Sequence, residues 1–329
     1  MPFHRRLACK LNYFQSIILM FAAVILIGAA LLMLPISAQE RTVTPFHEAL
    51  FTATSAVCVT GLVVRDTASH WSAFGQAVLM VLIQIGGLGV ITVGASFSLL
   101  SGRRISLSQR GRMQEAMSAP KVGGIVRLTG FVIRSSLVME GIGALCMLPV
   151  FCRDFGASGI WKAIFHSVSA FCNAGFDLMG TPDTPFVSLT AYRADPVISL
   201  TISALIVVGG IGFLTWDDVR TNRLCFHRYR LQSKVILTAT ALLILLPTLY
   251  FFCFEFKGGT LRERLLLSLF QSVTPRTAGF NTADYTSLSS SGRGLTILLM
   301  FIGGSPGSTA GGIKTTTIAM LVANAFAVF

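Results

Sequence analysis

The chain has 329 residues, of which 53% are hydrophobic and only 12% charged, and its mean hydropathy is +0.71. A soluble domain carries about 25% charge, so an ordinary soluble globular protein is excluded and a membrane protein indicated. The formal net charge of +12 raises the question of nucleic acid, which its distribution along the chain answers in the negative.

Apolar stretches of spanning length lie near 13–35, 74–100, 125–150, 197–216 and 233–254, with an interrupted one at 295–329. The first is too long for the apolar core of a secretory signal and lacks a small-residue cleavage site, so it reads as a retained span. The seven cysteines (9, 58, 146, 152, 172, 225, 253) are scattered, mostly in or beside apolar runs, with no CxxC pair. They read as small hydrophobes, not as a disulfide or zinc framework. The N-terminus, the 101–134 linker and the 217–234 linker together hold 15 Lys/Arg against Glu115, Asp217 and Asp218. The remaining connections hold 10 of each sign. This asymmetry places the N-terminus and both basic linkers in the cytoplasm.

Between the first two spans lies ALFTATSAVCVTGL, Ala49 to Leu62. It returns as AIFHSVSAFCNAGF, Ala163 to Phe176, and again as SLFQSVTPRTAGF, Ser268 to Phe280. Each copy is a helix-compatible run of about ten residues, too short to span, ending in a small-residue turn closed by glycine. The turns are Val59-Thr60-Gly61, Asn173-Ala174-Gly175 and Thr277-Ala278-Gly279, preceded by Cys58, Cys172 and Arg276. One such turn would be an ordinary loop; three at matched positions are not. Glycine permits the positive φ that aims successive carbonyls at one axis. The half-helices point their negative ends the same way, as a filter for a dehydrated cation requires. No acidic ring is needed and none is evident. The repeat extends upstream to Pro35, Pro149 and Pro247 and downstream to the pairs Gly86-Gly87, Gly209-Gly210 and Gly303-Gly304. The fold class expected is therefore an all-α membrane protein of repeated span, re-entrant pore helix, filter loop and span. Its units are 1–101, 102–217 and 218–329, recurring at a period of about 100 to 114 residues.

The first two glycine pairs read as close helix packing. The third opens Gly303-Gly304-Ser305-Pro306-Gly307-Ser308-Thr309-Ala310-Gly311-Gly312-Ile313-Lys314, which a helix cannot traverse smoothly. A broken span with a loop beneath the filter is expected. Two enzyme-like patterns overlap it. Gly307 to Thr315 approximates a phosphate-binding loop, but Ile313 separates Gly312 from Lys314 and the flanks are spans. Gly303 to Gly307 fits GxSxG, yet none of the five histidines pairs with Ser305 in sequence, leaving an intramembrane serine hydrolase as a remote alternative. Arg276 is expected to donate hydrogen bonds to carbonyls behind the filter. Lys314 is a candidate gate or barrier, with snorkelling the alternative. Glu140 is the one acid inside a span and has no partner at helical spacing.

The filter strings SAVCVTGL, SAFCNAGF and SVTPRTAGFN, and above all GGSPGSTAGGIKTTT, resemble the Trk/Ktr/HKT superfamily of potassium transporters, most nearly its bacterial Ktr-type pore subunit. The resemblance implies K⁺ as the transported ion, with Na⁺ a candidate activator and no covalent cofactor. It implies coordination of K⁺ by the turns closing on Gly61, Gly175 and Gly279, and a gate formed by Gly303–Gly312 with Lys314. It further implies a bacterial plasma membrane location, a homodimer in lipid, and a cytosolic ring of nucleotide-binding regulatory subunits against the basic linkers. Nucleic acid is not an expected partner. The superfamily has four repeats, and this sequence carries three. The expectation is that residues 1–329 alone insert without forming a selective pore. A Na⁺ carrier is the alternative within the superfamily; there a serine replaces the first filter glycine, and Gly61 argues against it.

Overall fold

The computed structural model describes residues 13–89, 111, 114, 124–223 and 225–328. The end of the expected second span (90–100), Cys9, and the basic residues at 5, 6, 10, 103, 104, 110, 112 and 121 lie outside them. Among the described residues there are helices and two isolated bridges but no β-strand.

The first unit runs α1 (Tyr13–Leu32), α2 (Phe46–Val57) and α3 (Ala73–Leu88). The second runs α4 (Ile125–Phe155), α5 (Ser158–Phe171), α6 (Pro196–Gly210) and α7 (Phe213–Asn222). The third runs α8 (Leu231–Tyr250), α9 (Leu261–Val273), α10 (Ser290–Phe301) and α11 (Thr315–Val328). Three of these, α1, α4 and α8 with its extension to Glu255, are long and apolar enough to cross a membrane. The short helices α2, α5 and α9 fold back against α1, α4 and α8, as re-entrant helices must. The last span of the first two units packs on the next unit's short helix, α3 on α5 and α6 on α9, which interlocks the repeats.

Side-chain caps fix where several helices start. Ser72, Asp195, Thr260 and Ser289 each accept a backbone N–H in the first turn of α3, α6, α9 and α10, offsetting donors that a helix start leaves unpaired. The three matched prolines act differently. Pro35 opens a 3₁₀ turn after α1, whereas Pro149 and Pro247 sit inside α4 and α8; α8 then widens into a π-turn at Phe251–Glu255.

The second unit departs from its sequence reading. The apolar run 197–216 is not one straight span: α6 and α7 meet at 95°, across Ile211 and Gly212, whose φ is +89°. Burial is arranged inside out relative to a soluble protein. The last seven residues of α5, Phe165 to Phe171, are all buried, while the long helices α1 and α8 turn most of their apolar surface outward. Exposed apolar area on that scale demands lipid.

Candidate ion filter and gate loop

All three short helices end the same way. After α2, Val59 and Gly61 have φ of +54° and +79°; after α5, Asn173 and Gly175 have +56° and +72°; after α9, Thr277 and Gly279 have +69° and +86°. A left-handed residue, one intervening residue and a left-handed glycine thus recur three times. Alternation of hand of this kind is how a segment can aim successive carbonyls toward one side. Each turn is tied back to its own helix: Thr60 N–H to Ser55 O at 2.8 Å, Ala174 N–H to Ser169 O at 2.8 Å, Gly279 N–H to Thr274 O at 3.4 Å. In the second and third turns a hydroxyl adds a staple, Ser169 Oγ to Phe176 O and Thr274 Oγ1 to Phe280 O. The matching Ser55 Oγ has no partner, and Leu62, the counterpart of the buried Phe176 and Phe280, is exposed.

The turns meet. A methyl group on Gly61 would come within 2.6 Å of Ala174 O, and one on Gly175 within 2.4 Å of Ala278 O; near Gly279 only Gly175 approaches. The second turn is therefore the middle of an arc. The three glycines line a cavity of about 110 Å³ whose wall also carries Asp66 and Asp177. These two carboxylates were not legible as a ring in the sequence, being 111 positions apart. Asp66 is held by Ser69 N–H and by Phe186 N–H. Burial raises the Asp177 carboxyl to about 6, against the pull of its bond from Met179 N–H; Asp66 pushes the same way as burial, and Lys162 opposes it.

Across the turns from this cavity lies the 302–314 segment. It is non-helical between α10 and α11, and its neck is closed by Gly303 N–H to Ile313 O and Gly304 N–H to Gly311 O. It docks on the bend of the second unit through Ser305 N–H to Gly210 O (2.9 Å), Thr309 N–H to Gly209 O (3.3 Å) and Phe213 N–H to Gly307 O (2.8 Å). Thr309 Oγ1 donates to Phe171 O, the last carbonyl of α5, and accepts from Asn173 Nδ2, both at 2.9 Å. The loop thus touches the second turn directly, and Gly312 lies beside the Thr277 side chain of the third. Pro306 and Gly307 cover Gly212, and Ser308 Oγ bonds Ser305 O. Ala310 packs against Gly304.

The other sequence-derived residues find specific partners. Arg276 is buried, and its guanidinium donates to a backbone carbonyl, Gly303 O of the loop, at 3.5 Å. Lys314 Nζ bonds Ala310 O within its own loop at 2.8 Å. Ser305 Oγ is buried and pairs with Thr315 Oγ1 at 3.0 Å rather than with a histidine. Cys58 is exposed, whereas Cys172 is buried. Glu140 has the partner its own helix did not offer: Gln84 Nε2 of α3 donates to its Oε1 at 2.8 Å. Gln84 Oε1 in turn lies 3.9 Å from Cys172 Sγ, so a polar bridge between two units backs the second turn. Spacing within one helix could not reveal a partner 56 residues away.

A family model described as TrkH, cation transport protein, matches residues 10–255 and 256–327. The potassium/sodium uptake protein NtpJ of Enterococcus hirae is 43% identical over 334 residues, covering 99% of this chain and 72% of that protein. The Ktr system potassium uptake protein B of Bacillus subtilis is 42% identical over 320 residues, covering 95% and 70%. Among solved structures, the potassium transporter TrkH from Vibrio parahaemolyticus superposes with a TM-score of 0.68 at 20% identity, over 92% of this chain. This chain spans 60% of that one's length, and at that identity the likeness speaks for the fold. A family model spanning nearly the whole sequence, relatives well above 30% identity and a matching fold agree: this chain belongs to the TrkH family of cation transport proteins.

Proposed function

We propose that the chain builds the ion pathway of a potassium-uptake transporter in a bacterial plasma membrane. The observation that carries this reading is the arc of three matched left-handed turns, whose backbone carbonyls can replace the hydration shell of a cation. The relatives' names, potassium uptake proteins of Ktr systems among them, support K⁺ as the ion. The candidate coordinating segments are Cys58 to Gly61, Cys172 to Gly175 and Arg276 to Gly279. Gly303–Gly312 with Lys314 is the candidate gate, since the loop lies against two of the turns. A carbonyl cage surrounds its ion, so we infer that a further wall closes the side between Gly61 and Gly279.

The finer picture follows the charge asymmetry. With the 217–234 side cytoplasmic, the N-terminus is inside the cell and the Asp66/Asp177 cavity faces outward. A system-type name supports an assembly of several subunits; we extend this to a homodimer on a cytosolic nucleotide-binding ring. Carriage of Na⁺, or activation by it, is the second reading, favoured by the name of the potassium/sodium uptake relative. The deciding experiment is growth rescue of a potassium-uptake-deficient bacterium at low K⁺, with Na⁺ varied, by this chain expressed with the further wall supplied. Rescue by K⁺ at every Na⁺ level is expected. No rescue at normal membrane abundance would refute potassium uptake, and rescue only when Na⁺ is supplied would favour activation.

A further inference from the structure

One face of α4 carries, from its start, Arg127, Phe131, Arg134, Val138, Ile142 and Leu145, at steps of three and four residues. Arg127 and Arg134 are exposed, and Arg220 of α7 reaches the same place, its guanidinium 4.9 Å from the centre of the Phe131 ring. The three arginines, with Phe131, Val138 and Met139, line a half-open cavity of about 710 Å³. Among the described residues none of the three forms an ion pair. Asp217 and Asp218, the acids nearest Arg220 in sequence, are both engaged by Arg230, and Glu140 turns to the buried side toward Gln84.

Beyond its cationic end the face becomes apolar and stays uncovered: Val138, Ile142 and Leu145 are 58%, 51% and 68% exposed. From Arg134 to Leu145 the helix rises about 16 Å, close to the roughly 15 Å depth of one leaflet's hydrocarbon. Cations at one end and an apolar track of that length match a phospholipid from phosphate to acyl chain. An acidic protein surface would match the arginines and leave the track bare. A second copy of this face would bring three more arginines and no acid.

We propose that this groove binds one anionic phospholipid of the cytoplasmic leaflet, its phosphate held by Arg127, Arg134 and Arg220 and an acyl chain lying along Val138, Ile142 and Leu145. The proposal rests on reading the 217–234 side as cytoplasmic. The lipid would tie α7 to α4, and α7 begins at Phe213, which holds the Gly307 carbonyl of the gate loop.

The test is native mass spectrometry of the full-length protein with phosphatidylglycerol and phosphatidylcholine in competition. Phosphatidylglycerol should be retained in preference. Each single Arg→Gln change at 127, 134 or 220 should lower that preference about fivefold, the effect of one cation at an anionic surface. The triple Arg→Gln variant should lose it, while the triple Arg→Lys variant, keeping the charge, should retain most of it and so control for folding. Three results would overturn the proposal: an unchanged preference in the triple Gln variant; glycerol phosphate binding as tightly as the lipid, which would mark a free-phosphate site; or retained lipid with loss of a cytosolic protein partner. Potassium flux measured in parallel keeps the two readings apart, because a protein that holds the lipid but moves no K⁺ fails only the transport reading.

Discussion

A side chain at Gly61 would press on Ala174 O and one at Gly175 on Ala278 O, at 2.6 and 2.4 Å, whereas at Gly279 nothing is closer than the Gly175 Cα at 3.4 Å. All three positions share the strain of a left-handed non-glycine residue, about 1–2 kcal/mol. Only the first two add a collision with a neighbouring carbonyl. The K⁺/Na⁺ permeability ratio should therefore fall most for Gly175→Ser, next for Gly61→Ser and least for Gly279→Ser; equal losses would contradict the arc. At the same scale, Asp177 titrates near 6 because burial disfavours its charged form. Below that pH the carboxyl is neutral, and above it a negative charge stands in the cavity beside the turns, which the proposed topology puts at the outer mouth. Rubidium uptake should thus rise as external pH passes from about 5 to 7, and Asp177→Asn should flatten the rise at the low-pH rate. The glycines are legible in the sequence because only glycine takes positive φ freely. The left-handed Val59 and Thr277 are not, since their β-branched side chains disfavour that region and only the helix end behind them and the glycine ahead enforce it; Asn173 takes it more readily, but an asparagine does not by itself mark it.

Between elements, the glycine pairs have a common use that repetition alone does not disclose. A methyl on Gly86 would lie 2.1 Å from Val57 O, and one on Gly209 2.0 Å from Phe171 O; Val57 and Phe171 end α2 and α5. The outer span thus lies directly on the carbonyl end of its own pore helix in the first two units. In the second, Thr309 completes the contact by capping Phe171 O. Thr309→Val keeps the shape and removes both hydroxyl bonds, leaving a buried carbonyl and amide short of partners at about 1–3 kcal/mol. We expect higher K⁺ flux through the variant, and also through Lys314→Ala, which frees Ala310 O; flux at or below wild type with normal membrane levels would argue against a gate. Glu140→Leu should lower the melting temperature in detergent because it strands Gln84, while Glu140→Gln, keeping an acceptor, should change it little. The broken third span is legible from five glycines and a proline in twelve residues. The 95° bend between α6 and α7 is not, because hydropathy averages across a turn and 197–216 is apolar on both sides of it.

For the molecule as a whole, burial is concentrated where the units interlock and the exterior is left to lipid, an arrangement legible from composition and periodicity. What stays hidden until the chain is folded is cross-unit chemistry, such as Glu140 with Gln84, Asp66 with Asp177, and the loop with the second unit's bend. That last docking has a kinetic consequence. Three of its bonds run through main-chain atoms, at Ser305, Thr309 and Phe213, so no single side chain is a latch whose release frees the whole loop. Such a seam parts in steps. Thr309 is held to the second unit by its side chain at Phe171 O and Asn173 Nδ2 as well as by its amide, whereas Ser305 is held there by its amide alone. The neck side is therefore expected to part before Thr309. If the loop is the gate proposed above, the pathway would then have resting points between shut and open, like a dimmer. Hydrogen exchange can read this directly: the Ser305 amide should exchange faster than that of Thr309, whereas one common rate would mean that the loop leaves in a single piece.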